Sequence, residues 1–186
     1  MLTYYTATTL DGWIADPDDS LDWLFRQEEG EGGTSGFDAF MSGIGALVMG
    51  STTYEWVLAH EAAAGNGWPF ALPTWVMTSR DLPAGEGADV RFASGDVRAV
   101  HHAMTAAAGG RHLWLVGGGD LAGQFADAGL LDEVVVSVAP VTLGAGRPLL
   151  PRRLDLELVD AAVSGTFVAA RYRVAGPLLE DRRERP

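Results

Sequence analysis

The sequence predicts an α/β protein with one mostly parallel β-sheet, covered on both faces by helices and ending in an antiparallel hairpin. Strand and helix signals alternate along the 186 residues, a length that fits one domain. Three strand segments are apolar apart from one serine, as strands buried on both faces are. Two β-prone segments near the C-terminus are joined by Ser164 and Gly165, which favour a tight turn.

Each element is supported by its own composition and punctuation. Strand segments are rich in β-branched and aromatic residues and end at turn residues, whereas helices follow a capping residue. The predicted strands are residues 2–8, 46–49, 74–78, 90–92, 113–116, 134–138, 156–163 and 166–174. Two predicted helices are residues 37–43 and residues 120–128. A third is capped by Ser51 or Thr52 and runs to about residue 60, and a fourth is capped by Asp96 and runs to about residue 108.

Two segments lie outside these elements. Residues 16–36 are polar and glycine-rich and predict a long loop with one short turn at 21–25. Loops of this length are often functional, so this segment is either a lid over a site or a variable surface loop. Residues 176–186 predict a charged, frayed tail behind a single domain of residues 1–175.

The composition excludes several kinds of chemistry. There is no cysteine, so thiol catalysis, disulfides and thiolate metal sites are excluded, and the four histidines show no metal-ligand spacing. All thirteen basic residues are arginine, which excludes Schiff-base lysines and the P-loop lysine. A net charge of −12 argues against nucleic-acid binding. No signal peptide or membrane span is evident, so we expect a cytoplasmic protein.

Two strand-to-helix junctions share a design that suits anion binding. In Gly50-Ser51-Thr52-Thr53 and in Gly117-Gly118-Gly119-Asp120, glycine follows a buried strand and precedes a helix N-terminus. Ligands of open α/β sheets bind at such carboxyl ends, where the backbone N–H groups of a helix N-terminus favour phosphate. The pair predicts a cradle for the pyrophosphate of one dinucleotide. The alternative is that both glycines serve only tight turns.

Two further features concern the same kind of ligand. The spacing Gly117-x-Gly119-x-x-Ala122 matches the Rossmann fingerprint, although no acid that could hold a ribose follows the next strand. A Rossmann dehydrogenase is therefore the less favoured alternative. Ser79 and Arg80 follow a third strand, where an arginine can grip a ribose 2′-phosphate by two hydrogen bonds.

Four motifs in order carry a resemblance to a known family. They are Thr9-Leu-Asp-Gly-Trp-Ile-Ala15, Val48-Met-Gly-Ser-Thr-Thr-Tyr-Glu55, Leu115-Val-Gly-Gly-Gly119 and Val138-Ala-Pro-Val-Thr-Leu-Gly-Ala-Gly-Arg-Pro-Leu149. They resemble signatures of the dihydrofolate reductase superfamily, and more closely of its riboflavin-biosynthesis reductase branch, the C-terminal domain of bacterial deaminase-reductases. The resemblance covers residues 2 to about 174.

The resemblance implies a fold, a cofactor and an activity. The fold would be a dihydrofolate-reductase-like, three-layer α/β arrangement with a mixed sheet of about eight strands. The activity would be hydride transfer from NADPH to a small pterin-like, ribosylaminopyrimidine-like or other C=O or C=N compound. The segment from Gly144 to Leu149 resembles one that contributes to a dimer, so a homodimer is implied.

The resemblance also implies the roles of individual residues. Ala7 and Ile14 would hold the nicotinamide through backbone groups, and Ser79 and Arg80 would meet the 2′-phosphate. The phosphate-binding positions would be Gly50, Ser51, Thr53, Gly117, Gly118, Gly119 and Asp120. Many relatives have arginine where this chain has Ser51, so the preference for NADPH over NADH stays open.

A reductase also needs a proton donor. Asp11 matches an aspartate at the substrate end of the riboflavin branch, and Asp22 is the second candidate; either carboxylate can instead be a turn residue. Folate is not favoured as a substrate, because no equivalent of the acid of true dihydrofolate reductases aligns. The alternative function is a non-catalytic nicotinamide-dinucleotide-binding protein of the same fold.

Overall fold

The computed structural model describes residues 1–28, 36–85 and 87–182. Its strands are β1 Leu2–Thr9, β2 Trp13–Ala15, β3 Ile44–Gly50, β4 Thr74–Met77, β5 Val90–Ala93, β6 His112–Gly117, β7 Glu133–Ala139, β8 Arg147–Pro148, β9 Leu154–Ser164 and β10 Phe167–Pro177. Its helices are α1 Asp22–Phe25, α2 Phe37–Ser42, α3 Ser51–Ala63, α4 Val97–Ala107, α5 Gly119–Asp127 and α6 Leu179–Arg182.

Eight strands form one sheet in the order β5-β4-β3-β6-β1-β7-β10-β9. Every pairing from β5 to β7 is parallel, whereas β10 is antiparallel to both β7 and β9. The prediction of a mixed, mostly parallel sheet with a C-terminal hairpin is therefore confirmed. The position of the glycine fingerprint also differs from that in a Rossmann sheet. There it follows the first strand, whereas here it follows β6.

The apolar strands lie in the middle of this sheet, and helices cover both of its faces. One face packs against α4 and α5 in the main core, around fully buried Tyr4, Met104 and Phe125. On the other face, α2 and α3 pack near Leu47 and Met49, two residues of β3. Alternation along β3 puts Ala46 and Val48 on the first face and Leu47 and Met49 on the second.

Three local features differ from the sequence predictions. The short strands β2 and β8, which pair with each other, were not predicted, because their partners lie far apart in the sequence. Helix α3 is capped by Gly50 without a side-chain hydrogen bond, so the prediction that Ser51 or Thr52 caps it is wrong. Asp96 does cap α4, accepting the N–H of Arg98 at 2.9 Å. Residues 176–182, the described part of the predicted frayed tail, are more ordered than expected, since β10 reaches Pro177 and α6 follows.

Candidate active site

A cavity of about 850 Å³ lies on the second face of the sheet, toward the carboxyl ends of its central strands. Its floor comes from β1, β6, β7 and β10, and its walls come from α1, α2 and α3. This is the edge at which open α/β sheets bind ligands, and the volume is in the range of small-molecule and cofactor sites. Residues from each of these elements line it, among them Ala7, Thr53, Trp114, Gly118, Ser137 and Ala169.

The two glycine junctions meet at one end of this cavity because β3 and β6 are neighbours in the sheet. A methyl group built on Gly50 would lie 3.9 Å from the backbone nitrogen of Gly118. Helix α3 begins after Gly50 and α5 begins after Gly118, and neither helix has a side-chain hydrogen bond at its N-cap. Their first N–H groups therefore lack the usual capping partner and can serve an anion.

The adjacent glycines Gly118 and Gly119 face different surroundings. A methyl group on Gly118 would meet no atom within 4 Å, although Gly118 lines the cavity. A methyl group on Gly119 would lie 2.0 Å from the carbonyl oxygen of Pro148 and 2.5 Å from that of Leu149. Gly118 thus leaves room for a ligand beside the backbone, whereas Gly119 lets the β8 segment approach α5. The residues present fit the pyrophosphate of a dinucleotide.

Only part of the predicted site lines the cavity. The predicted residues that line it are Ala7, Ile14, Thr53, Gly117, Gly118, Gly119 and Asp120. The predicted residues that lie outside its lining are Asp11, Asp22, Gly50, Ser51, Ser79 and Arg80. The first group comes from β1, β2, the end of β6 and the starts of α3 and α5. The second comes from loops, from the start of α1 and from the junction of β3 and α3.

Asp120 lines the cavity beside Gly118 and Gly119, but its carboxylate is already engaged. It accepts hydrogen bonds from Gln124 at 3.0 Å and from Arg152 at 3.1 Å. These contacts, with the Gln124 hydrogen bond the strongest cause, hold the pKa of Asp120 below its usual value. The side chain is therefore ionised, and only the backbone N–H of Asp120 suits a phosphate.

Arg80 forms an ion pair instead of presenting a free guanidinium. Its two terminal nitrogens donate to both carboxylate oxygens of Glu55, one at 3.1 Å, and both side chains are about half exposed. A 2′-phosphate at this point would compete with Glu55 for the guanidinium. The role predicted for Arg80 stays a prediction, and it now requires that the phosphate displace Glu55.

Asp11 joins two loops. Its carboxylate accepts the hydroxyl of Thr9 at 2.6 Å and the N–H groups of Gly144 at 2.7 Å and Leu143 at 3.1 Å. These hydrogen bonds, that of Thr9 first, lower the pKa of Asp11. Because an ionised carboxylate outside the cavity cannot deliver a proton to a ligand within it, the geometry does not support Asp11 as the donor.

Asp22 is exposed at the start of α1, where its N–H donates to Ser20. The described part of the predicted loop 16–36 is anchored to the rest of the protein by a buried side chain. Trp23 of α1 is buried against Ala139 and Phe167. Residues 29–35, on which the rest of the predicted lid falls, lie outside the described residues.

The structure adds residues that the sequence prediction missed. Thr52, Trp56 and Val57 on α3 line the cavity, and a helical spacing of four from Thr52 and Thr53 would have found the other two. Tyr5 lies on the same face of β1 as Ala7, as strand alternation requires.

Asp19 and Arg147 also line the cavity, and they form a bidentate ion pair with one contact of 2.9 Å. They are 128 residues apart, so no local signal joins them.

No group of His, Asp or Glu side chains in the described ranges is arranged to hold a metal ion. Within the same ranges, no helix is both long enough and apolar enough to cross a bilayer.

A mixed eight-stranded sheet with a cavity at its glycine-bordered carboxyl edge defines the class of dihydrofolate-reductase-like α/β proteins. The dihydrofolate reductase of Enterococcus faecalis, solved in complex with NADP(H) and RAB-propyl, has a TM-score of 0.53 at 15% identity, covering 94% of this chain and 96% of its own. That likeness concerns the fold. Residues 1–167 match the family described as the RibD C-terminal domain, and the chain belongs to that family.

Two relatives match over nearly their whole length. Uncharacterized protein YwjB of Bacillus subtilis (strain 168) is 32% identical over 171 residues, which are 90% of this chain and 94% of YwjB. The crystal structure of a Shewanella sp. PV-4 protein, named for riboflavin biosynthesis, has a TM-score of 0.77 at 28% identity. It covers 93% of this chain and 98% of its own. The suspected riboflavin-biosynthesis branch is thus confirmed by the family match, and the likeness to dihydrofolate reductase confirms the expected fold.

Proposed function

We propose that this protein is an NADPH-dependent reductase that transfers hydride to a small organic C=O or C=N compound. One observation carries the proposal: two helix N-termini without side-chain caps meet beside Gly118, at the end of a cavity on the carboxyl edge of the sheet. The family, and the NADP(H) held by the dihydrofolate reductase of similar fold, support a nicotinamide cofactor. The name of the Shewanella relative supports a connection with riboflavin biosynthesis.

The chain's own residues have separable roles in this proposal. The backbone N–H groups at the starts of α3 and α5 bind the pyrophosphate, with the hydroxyl of Thr53 beside them. Ala7 and Ile14 border the nicotinamide, which when bound supplies the hydride. The cavity walls exclude water and fix the distance between donor and acceptor. Asp11 is a positioning residue, because it joins the turn before Ile14 to the segment before β8.

A reductase needs a proton donor, and the described lining offers no unpaired carboxylate, which favours a second candidate function. Among the described lining residues, the carboxylates are Asp19 and Asp120, and both are paired with arginine. A reductase with this lining takes its proton from water or from a hydroxyl such as that of Tyr5. The alternative is a protein that binds a nicotinamide dinucleotide and catalyses no reaction.

A titration separates these functions. Trp56 and Trp114 line the cavity, so bound NADPH should quench their fluorescence saturably. A reductase then oxidises NADPH only when a substrate is added, whereas a binding protein never does. The absence of saturable quenching by both NADPH and NADH would overturn the two functions together.

We also propose a homodimer, with a different surface from the one expected. Gly146 lies against β2 within the chain, since a methyl group there would be 2.1 Å from the carbonyl oxygen of Ala15. Exposed apolar side chains instead share one face of the β9–β10 hairpin; they are Leu156, Leu158, Val163 and Val168. Sedimentation equilibrium should show a dimer that Leu158→Asp converts to a monomer. A monomeric wild type would overturn this proposal.

A further inference from the structure

The described lining of the cavity contains three charged side chains, and each is already paired. Asp120, beside Gly118 and Gly119, is held by Arg152. Asp19 accepts both Nε and a terminal nitrogen of Arg147, the second at 2.9 Å. Arg147 is therefore the one cation of the described lining, and a carboxylate neutralises it.

The Asp19–Arg147 pair is built into its loop. Asp16 accepts the N–H groups of Asp18 at 2.9 Å and Ser20 at 2.8 Å, which shapes the turn between them. Asp19 has a φ of 63°, in the left-handed region that aspartate tolerates better than most residues. The turn directs Asp19 to Arg147, so an anionic ligand would have to displace a held carboxylate.

Aromatic rings form much of the remaining lining. Phe25 is 58% exposed and stacks on Trp56, with ring centroids 5.9 Å apart and planes 8° apart. His60 continues this stack, 4.7 Å from Trp56. Phe37 is 46% exposed and meets the edge of Trp114. Exposed rings beside a cavity are costly in water and favour a flat apolar ligand.

We propose that the substrate is a flat, uncharged ring compound, and that the Asp19–Arg147 pair selects against phosphorylated or carboxylated analogues. This rests on the proposed function, because it concerns the space that a bound cofactor leaves. The uncharged ring gains contact with Phe25, Trp56 and Phe37. An anionic ligand would lose its hydration without gaining a free cation, because Arg147 is already paired with Asp19. Such uncompensated desolvation is a common way in which a site rejects a charged competitor.

Two probes of matched shape test the proposal by binding alone. They are 1,4-naphthoquinone and its 2-sulfonate, which differ by one negative charge; the chain has no cysteine or lysine for a quinone to alkylate. Each is titrated by calorimetry into protein saturated with NADP⁺. We expect naphthoquinone to bind at least about tenfold more tightly than the sulfonate, a difference of about 1.4 kcal/mol.

Variants assign the effect to residues. Asp19→Asn frees Arg147 and should narrow the difference to about threefold or less. Asp181→Asn is the matched control, because it frees Arg153 from an equally bidentate exposed pair outside the cavity lining. Phe25→Ala should weaken naphthoquinone about tenfold. Phe25→Leu, which keeps apolar bulk without a flat face, gives the same direction if the alanine variant fails to fold.

The outcomes separate this inference from the function beneath it. If NADP⁺ itself does not bind, the proposed function fails. If NADP⁺ binds but the sulfonate binds as well as naphthoquinone, or neither probe binds, the substrate inference is overturned and the cofactor site stands. The inference is also overturned if Asp19→Asn and Asp181→Asn change the ratio equally, or if the Phe25 variants bind naphthoquinone as the wild type does.

Discussion

Alanine substitutions at the neighbouring residues Gly118 and Gly119 should separate cofactor binding from folding. The methyl group of Gly118→Ala enters open space inside the cavity and meets no protein atom within 4 Å. Its φ of −96° is open to any residue, so stability should change by about 0.5 kcal/mol or less. The same methyl group stands where the phosphate must approach the backbone. Losing one charge-assisted hydrogen bond, worth about 1.5–3 kcal/mol, weakens NADPH about 10- to 100-fold.

Gly119→Ala should do the opposite. Its methyl group would stand 2.0 Å and 2.5 Å from two carbonyl oxygens, so the β8 segment must move. Overpacking of this kind costs about 1–3 kcal/mol. At about 2–4 °C per kcal/mol for a chain of this length, the melting temperature should fall by about 2–12 °C.

The assay for both variants is a thermal melt followed by an NADPH fluorescence titration. Gly67→Ala is the control, because Gly67 is an exposed loop residue with no atom within 4 Å of the added methyl and lies outside the cavity lining. If Gly118→Ala binds NADPH as the wild type does, the phosphate cradle is refuted. If Gly119→Ala melts with the wild type, the close approach of β8 to α5 is refuted.

Two further predictions concern charged groups. Glu55→Gln should release Arg80 and raise the affinity for NADPH about three- to tenfold while leaving that for NADH unchanged, since a unit charge 4 Å away in water is worth about 1 kcal/mol. The control is Glu157→Gln, which breaks the similar exposed pair with Arg173. An equal change in affinity for both cofactors would refute the role of Arg80. Because the pKa of Asp11 is lowered in the fold, its stabilising effect is complete above the usual aspartate pKa of about 4 and is lost as the pH falls through the lowered value. The melting temperatures of wild type and Asp11→Asn should therefore differ at pH 7 and converge in acid, and a constant gap would contradict this.

The sequence predicted those features that depend on neighbouring residues. The apolar strand at 113–116 and the cap at Asp96 are local signals, and glycine before a helix marks a helix N-terminus at the carboxyl end of a strand. These signals located the end of the cavity at which α3 and α5 begin. The resemblance added Ala7 and Ile14, which line the cavity.

The features that the sequence did not predict depend on distant partners. Strand β2 pairs with β8 across more than a hundred residues, and the same pairing brings Arg147 to Asp19. Asp11 was expected to be a proton donor because its position in the motif matches an aspartate at the substrate end of the riboflavin branch. In the structure its carboxylate instead accepts hydrogen bonds from Thr9 and from two backbone N–H groups of another loop. A carboxylate's role follows from what it contacts, and residue type and motif position do not specify those contacts.

The central claim is that backbone N–H groups at the starts of α3 and α5 hold the cofactor. Amide hydrogen exchange, measured by NMR on ¹⁵N-labelled protein with and without saturating NADP⁺, tests it most directly. We expect NADP⁺ to slow exchange at Thr52, Thr53, Gly118, Gly119 and Asp120, while the amides of β9 are unchanged. Saturable NADP⁺ binding that leaves these five amides unprotected would contradict the claim.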